Sequence, residues 1–231
     1  MKYAIIGAME EEVEAVKKRV DVISSTNIAN CTFYEATYNG HEIILLQSGI
    51  GKVNAALSTT ILHERFKPDY VINTGSAGGS DASLNVGDVV IGEEVIHHDA
   101  DATAFGYAYG QIPQMPEAFK SDENLIQRAK RAIEDLDGDF QKVVGLIGTG
   151  DSFMADESRV KGVVERFPNV KALEMEAVSI AQICYQYGTP FLIIRSLSDI
   201  AGKTSEISFD QFLGTAAENS AAFILTMLTQ S

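Results

Sequence analysis

The chain has 231 residues, 45% of them hydrophobic, which supplies one sizeable core and does not require a second domain. Its 18 basic and 32 acidic residues give a formal net charge of -14, so no cationic stripe is available for unspecific binding to nucleic acid or to an anionic membrane. The two cysteines, Cys31 and Cys184, lack CxxC spacing and read as free buried thiols of a reducing compartment. The stretch MKYAIIGAMEEE has no long apolar run before its first acids. It reads as neither signal peptide nor membrane span, and cytoplasmic location is the expectation.

In chain order, Tyr3 to Ile6 reads as a first buried strand meeting Gly7, and a helix starts near Met9 or Glu10. Glu10, Glu11 and Glu12 suit the positive end of its dipole, and Lys17, Lys18 and Arg19 suit the other end. One of the three glutamates is also placed to face inward over the strand edge. Cys31 to Ala36 with Tyr38, the Asn39-Gly40 turn and His41 to Gln47 predict a hairpin. An apolar-periodic helix follows from Ala55 to Phe66. SGIGK before it lacks Walker A spacing, since Val53 follows Lys52.

Asp69 to Asn73 is a short strand running into TGSAGG, Thr74 to Gly79, a glycine-rich turn without dinucleotide spacing. Val89 to Ile91 is a strand. His97 to Pro116 is a long loop with exposed aromatic residues, suited to a subunit contact or a pocket lid. Its His97, His98, Asp99 and Asp101 are metal-ligand types. They lack helical i, i+4 spacing and a remote third cluster, so no metal site is expected. Asp122 to Ile133 is a surface helix, Gln141 to Ile147 a strand, Arg159 to Phe167 a helix and Lys171 to Glu174 a short strand.

From Ala172 to Asp199 the chain offers Glu174 and Glu176 around Met175, then an apolar helical pattern through Cys184. Pro190 stops that helix, and Phe191 to Ile194 is a buried strand ending in Arg195, Ser196, Ser198 and Asp199. Phe209 opens the last helix, which runs through Leu213 and Ala217 to Met227. The whole, residues 1–231, reads as a single α/β domain with a central mixed β-sheet flanked by helices.

An acid after the first strand, two acids around Met175, and Asp199 near Arg195 form a set of carboxylates. GxSxG is absent, and no histidine stands in triad position to Ser76. Paired carboxylates suit general acid/base work on a glycosidic or similar C–N or C–O bond: one activates water, another, kept protonated, donates to the leaving group. Low cationic content argues against a phosphorylated substrate.

With these residues stated, GAMEEEV, SGIGKVNAA, NTGSAGG, HDADATAFGYAYGQIPQMP, GTGDSF, ALEMEA and the SD of RSLSD, in order along the whole chain, resemble the 5'-methylthioadenosine/S-adenosylhomocysteine nucleosidases. The resemblance implies a nucleoside phosphorylase-like fold, a homodimer, no cofactor, and hydrolysis of those nucleosides, and of 5'-deoxyadenosine, to adenine and a 5-substituted ribose. It gives Glu12 the activation of water, with Arg195 helping to hold the site. Asp199, beside Ser198, donates to purine N7. Glu176 bonds the ribose 3'-hydroxyl, and Met175 lies under the sugar. Phe153 stacks near adenine, Ile50 and Ser76 line the pocket, and Phe209 closes over it. Phe105 and Pro113 reach across the dimer to the 5'-alkylthio group. Gly148-Thr149, where valine-serine is common, and the stretch Gly202 to Thr204 depart from the family pattern. The rival readings are a phosphate-dependent purine nucleoside phosphorylase of the same fold and a non-enzymatic nucleoside-binding protein.

Overall fold

The computed structural model describes residues 1–134, 140–203 and 205–230, and at 205–208 the backbone alone. The chain begins with β1 (Lys2–Gly7), α1 (Glu10–Lys17), β2 (Asp21–Ile28), β3 (Cys31–Tyr38), β4 (His41–Gln47) and α2 (Lys52–Phe66). It continues with β5 (Tyr70–Asn73), β6 (Ser76–Gly79), β7 (Val89–His97), a 3-10 turn (Thr103–Phe105), β8 (Phe119–Lys120) and α3 (Glu123–Glu134). The last elements are β9 (Lys142–Thr149), α4 (Glu157–Arg166), β10 (Val170–Glu174), α5 (Ala177–Tyr187), β11 (Phe191–Ile200) and α6 (Ser205–Thr229).

These strands form one mixed sheet in the order β2-β3-β4-β1-β5-β11-β6-β10-β9-β7-β8. β7 also pairs antiparallel with β11, residues 89–92 against 193–196, so β11, β6, β10, β9 and β7 close into a ring. Strand alternation sends side chains to two cores. Tyr3 and Ile5 of β1 join Val13, Leu125, Phe223 and Ile224 from α1, α3 and α6. Ala4 and Ile6 join Leu62, Val178 and Ile180 from α2 and α5. Ile5 and Ile6 are 0% exposed, and burying such a side chain contributes about 1.5–3 kcal/mol. No helix among the described residues is long and apolar enough to cross a membrane, and Cys31 and Cys184 are both buried and free.

Several elements differ from the sequence expectation, among them β7, which runs on to His97, α2, which starts at Lys52, and the short β8, which was not expected. The differences at β2, β6 and β11 have a clear physical reason. β2 was not foreseen, because its side chains are almost all exposed and its apolar residues do not alternate. It exists through its ladder with β3, interrupted by a bulge between Val22 and Ser24. The TGSAGG stretch is not only a turn. Its Ser76–Gly79 part is β6, parallel to the second half of β11 and antiparallel to β10. β11 does not end at Ile194 but runs to Ile200, its polar residues buried inside the ring. α6 begins at Ser205, before Phe209. Thr204 lies outside the described residues.

The exchange of partners along β11 creates the site. Residues 191–193 pair with β5, which stops at Asn73, and residues 196–200 pair with β6, which starts at Ser76. Arg195 sits at the change-over. The β6 register then shifts by one residue between Leu197 and Asp199. That bulge lets the adjacent Ser198 and Asp199 both face one cleft, where a regular strand would send them to opposite sides.

Candidate active site

Glu12, the third residue of α1, is 4% exposed and points back over the end of β1. Its Oε2 accepts the N–H groups of Ala8 (2.7 Å) and Met9 (3.2 Å). Its Oε1 accepts the Ser76 N–H (3.0 Å) and the Ser76 hydroxyl (3.3 Å). Four donors therefore hold this carboxyl group in one orientation. The approach depends on glycine, because a Cβ on Gly75 would lie 2.8 Å from Glu12 Oε1. Glu10 and Glu11 are exposed at the start of the same helix.

Arg195 is fully buried and paired with Glu174, its Nη2 donating to Glu174 Oε2 at 2.7 Å. Its other Nη bonds go to the end of β5 and to its own strand, while the buried Nε has no partner among the described residues. Nη2 meets Asn73 Oδ1 at 2.5 Å, and Nη1 meets the carbonyls of Ile194 (2.9 Å) and Asn73 (3.4 Å). Glu174 Oε2 also accepts the N–H groups of Glu176 (3.0 Å) and Ala177 (2.8 Å), so it caps α5. Thr149 at the end of β9 completes the network. Its hydroxyl donates to Glu174 Oε1 and accepts the Val178 N–H at 2.9 Å. A buried ion pair with this many further bonds fixes geometry rather than offering free charge to a ligand.

Glu176 and Asp199 are the two acids whose proton affinity the fold raises most clearly. Burial, then the charge of Glu174, pushes Glu176 up to about 8, against the opposing pull of the Gly51 N–H and Arg195. That N–H reaches Glu176 Oε1 at 2.8 Å. Asp199 is 2% exposed, and burial raises it above the usual carboxylate range, with the Ser198 hydrogen bond opposing. Ser198 Oγ donates to Asp199 Oδ1 at 2.9 Å. Asp199 Oδ2 lies toward Gly78, where a Cβ would come within 3.0 Å of it.

Glu12, Ser76, Glu174, Glu176, Arg195, Ser198 and Asp199 border one cleft of about 550 Å³, open solvent at its mouth included. Half-exposed Ile50 and Phe153, with Phe209, form an apolar rim. The rings of Phe153 and Phe209 meet edge to face at 5.8 Å. Met175 lies between the two glutamates on the cleft wall.

The comparison with known proteins follows the same outline. The Phosphorylase superfamily model matches residues 2–229. A 5'-methylthioadenosine/S-adenosylhomocysteine nucleosidase of Geobacillus thermodenitrificans is 58% identical over 229 residues, 99% of this chain and 97% of the relative. The solved structure of such a nucleosidase from Neisseria meningitidis, in complex with methylthio-immucillin-A, matches with a TM-score of 0.97. It is 47% identical and covers 100% of this chain and 99% of that one. The nucleosidase of Colwellia psychrerythraea in complex with adenine gives 0.96 at 52% identity, covering 100% and 95%.

This chain belongs to the 5'-methylthioadenosine/S-adenosylhomocysteine nucleosidase family. Its α/β fold with a central mixed sheet is the nucleoside phosphorylase-like architecture expected from the sequence.

In this nucleosidase-family chain, Glu12, Ile50, Ser76, Phe153, Met175, Glu176, Arg195, Ser198, Asp199 and Phe209 all border the cleft. Phe105 and Pro113 do not; both are exposed on the long loop, Phe105 at 84%. Three of the four metal-ligand types of that loop have other partners, while the buried His98 Nε2 has none among the described residues. His97 meets Gln182 Oε1 at 3.0 Å, Asp99 pairs with Lys52, and Asp101 caps the 3-10 turn through Thr103. Among the described residues no group of three or more His, Cys, Asp or Glu could hold an ion. Sequence reasoning missed Asn73 and Thr149, and left the role of Glu174 open. The available signal was a polar residue closing a buried apolar strand, as Asn73 closes YVIN.

Proposed function

We propose that this cleft hydrolyses the N-glycosidic bond of 5'-methylthioadenosine and S-adenosylhomocysteine, and also of 5'-deoxyadenosine, releasing adenine and the 5-substituted ribose. In this reading Asp199 gives its proton to purine N7, and the C1'–N9 bonding pair moves into the base. The ribosyl carbon gains oxocarbenium character, which the carboxylates around it stabilise. Water adds to C1' and passes a proton to Glu12. Glu176 takes the 3'-hydroxyl, Met175 the sugar face, Phe153 and Phe209 the base, and Ile50 the 5' side.

The observation that carries the reading is the division of labour between two acids. Glu12 is braced by four donors on its two oxygens, whereas Asp199 is buried with its proton affinity raised. The same donors argue against phosphate as the nucleophile. The N–H groups of Ala8, Met9 and Ser76 are occupied by Glu12, and Arg195 is occupied by Glu174. A phosphate there would face Glu12, Glu174 and Glu176.

The working unit in this reading is a cytoplasmic homodimer of one-domain chains. Phe105 and Pro113 of each protomer approach the 5'-alkylthio end of the other's pocket. Their exposure outside their own cleft supports that placement.

The test is adenine release from 5'-methylthioadenosine in phosphate-free, chelator-treated buffer. Hydrolysis predicts full turnover and free 5-methylthioribose. Turnover only after phosphate is added, with a sugar 1-phosphate as product, assigns a phosphorylase. Binding without turnover assigns a nucleoside-binding protein.

A further inference from the structure

Three segments distant in sequence are tied together beside the cleft. Lys52 Nζ pairs with both oxygens of Asp99, at 2.7 and 2.9 Å. Asp99 Oδ2 accepts the Asp151 N–H at 3.0 Å. Asp151 Oδ1 accepts the Lys52 N–H at 2.8 Å. The bonds form a closed circuit from Lys52 to Asp99, to Asp151 and back to Lys52. None of these three side chains borders the cleft.

The residue held by the circuit adjoins the one that touches the site. Gly51, immediately before Lys52, gives its N–H to Glu176 Oε1. Gly51 has φ of +95°, and a Cβ there would stand 3.2 Å from Asp151 Oδ1. The position of Lys52 is itself unusual. It is the first residue of α2, where the helix dipole disfavours a cation. A charge in the wrong place for its helix needs a compensating partner, and Asp99 supplies one. Ordinary helix-start chemistry would put an acid or a small polar residue here.

We propose that Lys52, Asp99 and Asp151 are positioning residues. Their circuit holds the turn at 50–52 so that the Gly51 N–H keeps Glu176 aimed at the substrate's 3'-hydroxyl. This rests on the hydrolytic reading above and on the sugar-binding role it gives Glu176. The physical reason is the isolation of Glu176. It is buried, close to the like charges of Glu174 and Glu12, and Arg195 is already committed to Glu174. The Gly51 N–H is the donor that orients its Oε1. A turn that drifts takes that donor away and leaves the carboxyl group free to rotate.

The experiment compares wild type, Lys52→Met, Asp99→Ala and their double variant on two nucleosides, 5'-methylthioadenosine and its 3'-deoxy analogue. The expected result is a loss of kcat/KM on 5'-methylthioadenosine of about ten- to a hundredfold in each single variant, the scale of one hydrogen bond to a charged group. The double variant should lose no more than the weaker single one, since each change opens the same circuit. On the 3'-deoxy analogue, variants and wild type should agree within about twofold, because the bond that the circuit aims is absent. Lys52→Arg, which keeps the pair with Asp99, should restore most of the activity. Should Asp99→Ala fail to fold, Lys52→Met and Lys52→Arg carry the same comparison.

Equal losses on both nucleosides, additive losses in the double variant, or no loss in either single variant would overturn the proposal. A wild type that cleaves neither nucleoside, or cleaves both equally well, would instead overturn the reading of Glu176 on which the proposal stands, and the proposal with it.

Discussion

Replacing Asp199 by Asn isolates the acid half of the chemistry. Asn has the same shape, and its carbonyl oxygen can still accept from Ser198 Oγ, now 2.9 Å from Asp199 Oδ1. The change takes away only the proton, on a side chain 2% exposed whose burial favours keeping it. A positioned general acid contributes about 10²- to 10⁴-fold, which is about 2.7–5.4 kcal/mol of barrier. We therefore expect kcat on 5'-methylthioadenosine to fall by that factor while the urea midpoint moves little. A 4-nitrophenyl 5-methylthioriboside provides the control, because its leaving group needs no proton at N7. Its turnover should fall less than about tenfold, below the range of a lost general acid. Equal losses on both substrates would refute the assignment, as would near-normal kcat on the nucleoside.

Three further outcomes follow from the geometry. Glu174→Gln leaves the Arg195 guanidinium buried without its counter-charge, so unfolding in urea should show a loss of about 3–5 kcal/mol; a loss below about 1 kcal/mol, typical of exposed pairs, would contradict the structural role. Burial raises the pKa of Glu176 from its ordinary value of 4.5 to about 8. The folded state thus holds a proton that the unfolded state releases, and stability should decline as pH rises from about 4.5 to about 8, by at most about 1.4 kcal/mol per pH unit. Asp199 adds to the same trend, and Glu176→Gln should flatten it; an unchanged slope would sink the argument. Phe105→Ala should raise KM for 5'-methylthioadenosine more than for adenosine, by about ten- to a hundredfold for a lost aromatic contact. Equal effects on both nucleosides would contradict the cross-subunit placement.

Much of this architecture is legible in the sequence because local signals agree with the final environment. The Asn39-Gly40 pair takes positive φ at both residues, 47° and 75°, as a tight hairpin requires. The apolar run before Gly7 and the acids after it give β1 and the first turn of α1 directly. What was not legible depends on partners far along the chain. β2 has no buried face, so only its pairing with β3 makes it a strand. Arg195, Ser196, Ser198 and Asp199 look like a strand's polar exit. They are the strand's interior because β6, and the antiparallel return of β7, cover it.

The site divides in the same way. The residue types of Glu12, Glu176 and Asp199 announce acid/base chemistry, and family motifs gave them roles. Which of the five cleft-side charged groups is committed to structure could not be read from spacing. Glu174 and Glu176 are two residues apart, yet one caps α5 and neutralises Arg195 while the other faces the cleft with one backbone donor. Thr149 and Asn73, which decide that difference, come from two other strands. The circuit of Lys52, Asp99 and Asp151 is likewise invisible without the fold, because its members are 47 and 52 residues apart.

The central claim is that Glu12 activates water in a reaction independent of phosphate. Its most direct test is the single-turnover rate of adenine release by Glu12→Gln in phosphate-free buffer, beside wild type. Gln preserves the size of the side chain and can still accept from part of the donor set now on Glu12. The account predicts a folded protein that binds 5'-methylthioadenosine and releases adenine at least about a hundredfold more slowly, the lower bound for a lost general base. A Gln variant that keeps the wild-type rate would contradict it.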